Sequence, residues 1–67
     1  MAVMEFQVCR HGRRARWVVR VGGAIYGDYL DKEQALLDAL DAARDAMQTG
    51  REAQVWLHDQ ATANRIL

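Results

Sequence analysis

The side chains that could do chemistry are few. Cys9 supplies the single thiol, and His11 and His58 supply the imidazoles. A structural zinc site wants four ligands at recognisable spacing, and the chain has no C-x-x-C and no H-x-x-x-H. Cys9 beside a histidine would be a nucleophile and a base. No third group is spaced to orient such a pair. A domain this small also has little room for a deep substrate pocket. Gly22-Gly23 lacks the Gly-x-x-x-x-Gly-Lys pattern of a phosphate loop and is not followed directly by a helix. The expectation is therefore a non-enzymatic chain with no catalytic, metal or cofactor site.

What remains is recognition chemistry. Arg10, Arg13, Arg14 and Arg16 surround His11 and Gly12 in a local basic patch. Such a patch can hold phosphate or an acidic surface, or simply keep an exposed turn soluble. Asp38, Asp41 and Asp45 recur at i, i+3 and i+7, an acidic stripe if the segment is helical. Trp56 and Tyr26 are aromatic residues near Arg16 and Arg20 in an alternating pattern, which suits base stacking with phosphate contacts or a protein interface.

Charge narrows these options. The 67 residues carry nine Lys plus Arg and nine Asp plus Glu, so the net charge is zero. Binding to nucleic acid is dominated by phosphate neutralisation, and neutrality weighs against it. The sum hides an asymmetry. Residues 1–27 set Arg10, Arg13, Arg14, Arg16 and Arg20 against Glu5 alone. Residues 28–50 set six acidic groups against Lys32 and Arg44. A basic front is followed by an acidic middle.

The length allows one domain, 1–67. A chain of this size buries only about 60% of its unfolded surface, so its core is thin. One cysteine cannot close an internal disulfide, and the N-terminus lacks a basic and then apolar leader, which together suggest a cytoplasmic protein. No segment approaches the ~20 apolar residues of a membrane span.

Elements must position the candidate residues. Residues 4–9 alternate, with Met4, Phe6 and Val8 on one side and Glu5, Gln7 and Cys9 on the other. Residues 15–21 do the same, Trp17, Val19 and Val21 opposing Arg16, Val18 and Arg20. Arg10-His11-Gly12-Arg13-Arg14 reads as a turn, with Gly12 available for positive φ, and makes the two a hairpin. Gly22-Gly23 turns the chain again into a third strand over 24–29. Asp31 then reads as a helix N-cap, with Gln34 three residues on. Leu36, Leu40, Ala43 and Met47 recur at helical spacing and predict a helix over 32–48, ending at Gly50. Residues 53–58 alternate once more, Ala53, Val55 and Leu57 against Gln54, Trp56 and His58. Residues 59–64 read as a loop, and 65–67 as a short final strand or the chain end.

These elements predict an α+β fold, β-β-β-α-β. A single sheet of three or four strands would carry one helix on one face, in the order 3-2-1-4. The expected core is Phe6, Val8, Trp17, Val19, Val21, Leu36, Leu40, Met47, Val55 and Leu57. The sheet face away from the helix would carry Val18, Arg20, Tyr26, Trp56 and His58 as an interface for a homodimer or another protein. The alternative partner is nucleic acid, held by Arg13, Arg14, Arg16 and Arg20. A further alternative is that Trp56 belongs to the core.

From Trp17 onward, Trp17-Val18-Val19, Gly22-Gly23, Tyr29-Leu30-Asp31, Glu33-Gln34-Ala35-Leu36, Val55-Trp56-Leu57-His58 and Arg65-Ile66 together resemble a group of small bacterial domains catalogued only as domains of unknown function. The likeness covers about three quarters of the chain. It departs at residues 59–64, which stand where the group has a tight Gly-containing turn. The resemblance implies a compact sheet-and-helix fold and carries over no activity.

Overall fold

The computed structural model describes residues 3–11, 16–59 and 61–67. Its elements are β1 (Met4–His11), β2 (Arg16–Val21), β3 (Ala24–Tyr29), α1 (Lys32–Gln48), β4 (Ala53–Asp59) and β5 (Thr62–Arg65). The strands form one sheet in the order β3-β2-β1-β4-β5. β1 pairs antiparallel with β2 and parallel with β4, as a crossover through a helix requires. The fold is α+β, and the order 3-2-1-4 extends by one strand.

That extra strand corrects the expected loop. Asp59 stands opposite Thr62, and the Thr62 hydroxyl donates to the Asp59 carbonyl at 2.8 Å. β5 occupies part of the segment read as loop, and Gln60 lies outside the described residues. The tail keeps pairing with β4: the Ile66 N–H donates to the Val55 carbonyl, and the Val55 N–H donates to the Leu67 carbonyl. Small polar residues hid a strand whose pairing comes from the neighbouring ladder rather than from its own alternation.

Turn and cap chemistry set the other junctions. Gly22 and Gly23 have φ of 57° and 84°, and Val21 pairs with Ala24 across them. Two successive positive φ values make the primed hairpin turn whose twist matches the strands. Asp31 is extended at the N-cap and its carboxylate accepts from the Gln34 N–H at 2.8 Å. At the other end Arg51 N–H donates to the Ala46 carbonyl and Gly50 N–H to the Met47 carbonyl, the paired bonds of a Schellman motif.

The helix is rotated relative to its expected face. Its fully buried residues are Ala35, Ala39 and Ala43, spaced i, i+4 and i+8. Leu36 and Leu40 pack only at the flank of the core, and Met47 is 40% exposed. Large side chains come from the sheet instead: Phe6, Val8, Trp17, Val19 and Val55 are buried. Alanine at the contact lets the helix axis approach the sheet, and a leucine there would hold it away. Val21 and Leu57 pack against this core as partly buried neighbours.

A bulge in β3 completes the packing. The β2–β3 register shifts between Val19 and Arg20, so Arg20 faces Ile25 and Val19 faces Gly27. Gly27 leaves room for the Tyr29 ring, because a Cβ there would collide with the ring and hydroxyl. Burial, a hydrogen bond with the Asp38 side chain and the neighbouring charge of Asp38 and of Tyr26 push the Tyr29 pKa up to about 12. One residue of the acidic stripe thus meets the sheet.

Two outcomes follow. Ala39→Leu overpacks the helix–sheet contact and lowers stability by about 1–3 kcal/mol, whereas Leu37→Ala on the outer side changes it by less than about 0.5 kcal/mol. Urea unfolding checks both, and equal effects would restore the face centred on Leu36 and Leu40. Folding favours the neutral Tyr29 phenol. Its contribution is complete below the ordinary pKa of 10.0 and is lost as pH climbs through about 12. Tyr29→Phe should therefore flatten the loss of stability in that window, and an unchanged alkaline slope would contradict the assignment.

Candidate interaction surface

Helix α1 contacts β1, β2, β3 and β4 on one side of the sheet. The residues that alternate with the core line the other side. Register places Arg65, Trp56, Gln7, Arg20 and Ile25 in one row across all five strands. The next row runs Ala63, His58, Cys9, Val18 and Asp28. Four of the five candidate interface residues, Val18, Arg20, Trp56 and His58, are therefore brought together.

Trp56 is half-buried and stands outside the core cluster. Its indole N–H donates to Gln54 Oε1 at 3.0 Å, two residues away on the same strand. The reading that put Trp56 in the core is set aside by this placement.

Tyr26 corrects the set. Its ring meets Phe6 edge-on, with centroids 6.1 Å apart, and Phe6 is a core residue on the helix side. The β3 bulge adds one residue before Gly27, so Tyr26 turns toward the helix layer and Ile25 takes the open-face position. Ile25 is 57% exposed. No simple alternation count across 24–29 could have found it, because the slip occurs inside the strand. Alternation already set Gln7 opposite the core side of β1, whereas Arg65 joins the face only through the pairing of β5 with β4.

Val18 lies on the open face yet is only 3% exposed. Its cross-strand neighbour Asp28 accepts from Arg16 Nε at 3.0 Å. Cys9 stands on its other side. Val18 thus stiffens the face rather than offering surface. Arg16, a nucleic-acid candidate, is committed to that ion pair. Arg13 and Arg14 lie outside the described residues. Arg10 is on the helix side, its guanidinium 5.8 Å from the Trp17 ring centre, in cation–π range.

Charges of both signs remain. Glu5 and Asp28 stand among Arg16, Arg20 and Arg65 on this face. The Nε2 atom of His58 is buried with no hydrogen-bond partner among the described residues. Burial raises the Cys9 pKa and the nearby Arg20 charge partly lowers it. Among the described residues no group of three or more His, Cys, Asp or Glu lies close enough to hold a metal ion. Among the described residues no helix is long and apolar enough to cross a membrane. Compared with protein-family models, curated proteins and solved structures, the chain matches none.

The Cys9 thiol should be slow to alkylate at neutral pH in dilute protein, because its thiolate is disfavoured. The rate should rise with a midpoint above the ordinary 9.0, and Arg20→Gln should move it higher still. A midpoint below that value would contradict the burial of the thiol.

Proposed function

We propose that this chain is a small non-enzymatic interaction module that pairs with copies of itself through the helix-free face of its sheet. The observation that carries the reading is Trp56, half-buried on an open sheet face in the same row as the exposed Ile25. A large aromatic anchor among polar neighbours is the pattern of an interface centre and its rim. The mixture of Glu5 and Asp28 with Arg20 and Arg65 allows a twofold partner to offer each charge its opposite. A thin core supports the same reading, since a 67-residue chain gains from burial against a second copy.

A second reading takes the same face as a platform for single-stranded nucleic acid. Arg65 and Arg20 flank Trp56 and Gln7 in one row, a base-stacking ring between two cations. Glu5 and Asp28 on that face, and the Arg16 charge already paired, weigh against it.

Sedimentation equilibrium at ~10–100 μM covers the range of weak specific association. Self-association that is weakened in Trp56→Lys and in Ile25→Lys supports the proposal, provided circular dichroism shows both variants folded. A wild type that stays monomeric at the upper concentration ends it. Salt-dependent binding of an oligonucleotide, lost in Arg20→Glu, would transfer the face to the second reading.

A further inference from the structure

The helix carries a second uncovered surface. Leu37 is 60% exposed, Met47 40% and Leu30, just ahead of the N-cap, 76%. Leu36, Leu37 and Leu40 line a shallow groove with Glu33. Leu37, Met47 and this groove lie on one shoulder, because the helix turns Ala35, Ala39 and Ala43 to the sheet. The opposite shoulder is polar, with Gln34, Asp38, Asp41 and Asp45. Helix α1 makes no contact with β5, so no element of the described chain flanks the apolar shoulder beyond β4.

The spacing along this shoulder is that of a helix–helix seam. Leu37 and Arg44 are seven residues apart, and so are Glu33, Leu40 and Met47. Together they alternate by three and four, the repeat of positions that meet a second helix. The charges are placed symmetrically about the apolar centre. Glu33 precedes Leu37 by four residues, and Arg44 follows Leu40 by four. Both are exposed.

We propose that two copies of the chain pack these shoulders together as an antiparallel, twofold helix pair. The axis passes between Leu37 and Leu40, so that Leu37 of each copy meets Leu40 of the other. The same operation sets Glu33 against Arg44 of the second copy, twice. A parallel pair would set Glu33 against Glu33 and Arg44 against Arg44. The charge pattern therefore selects both the occupant and its direction. This contact is independent of the sheet face, which lies on the other layer. If both operate, the assembly exceeds a dimer.

The test is a charge swap read by sedimentation equilibrium of the full chain. Glu33→Arg alone and Arg44→Glu alone should each weaken association by about tenfold, and the double variant should recover most of it. Leu37→Glu should abolish the contact, and its exposure means the fold survives, which circular dichroism verifies. The same substitutions in a Trp56→Lys background isolate the helix contact from the sheet face. Association there that depends on Leu37 and is rescued by the swap supports the helix pair, whatever becomes of the sheet-face reading. A wild type that dissociates with Trp56→Lys and ignores Leu37→Glu overturns the helix pair and leaves the sheet face standing. Loss in both single charge variants without rescue in the double overturns the antiparallel arrangement.

Discussion

The close approach of one helix to the sheet through Ala35, Ala39 and Ala43 governs the rest of the molecule. Three methyl groups fill that contact, and each is fully buried. The volume of the core must then come from the strands, as Phe6, Val8, Trp17, Val19 and Val55 supply it. An alanine stripe allows the helix to lie low over the sheet, where it contacts β1, β2, β3 and β4. The leucines are displaced as a result. Leu36 and Leu40 cover only the margin of the core, and Leu37 has nothing to cover.

A helix is about 10 Å across, and five strands at about 4.8 Å spacing are roughly twice as wide. One helix cannot roof such a sheet. Among the described residues, the helix leaves two places without a covering element, the reverse face of the sheet and the margin at β5. Each carries apolar groups beside charges of both signs. Separate parts of the electrostatic asymmetry seen in the sequence serve different contacts. Arg10 lies over Trp17, Arg16 holds Asp28, and Asp38 meets Tyr29. What looked like a basic front opposing an acidic helix is partly consumed by local pairs within the sheet and between layers. The zero net charge is therefore a poor guide to what each face presents.

Much of the scaffold was legible because local rules and global fold agree. Alternation in 4–9 and 16–21 placed the core side of β1 and β2 correctly, and Asp31 and Gly50 bounded the helix by capping chemistry. A crossover through a helix of that length left little freedom in strand order. Less of the candidate surface was legible. Trp56, Arg20 and His58 follow directly from alternation in straight strands. Tyr26 does not, because one extra residue in β3 reverses the faces after it. β5 was hidden because Thr62–Arg65 has no alternation of its own and takes its strand geometry from β4.

The sequence by itself determined the helix and its caps, the order of four strands and the side of each regular strand that is apolar. These depend on periods of 2 and 3.6 residues and on cap residues, all of which are local. Only the tertiary structure decided which part of a broad apolar helix arc meets the sheet. Ala35, Ala39 and Ala43 and the adjoining leucines are both apolar, and hydrophobicity alone ranks the leucines as core. Packing reverses that order: the sheet already fills the interior with large side chains, and only methyl groups fit in the gap that remains.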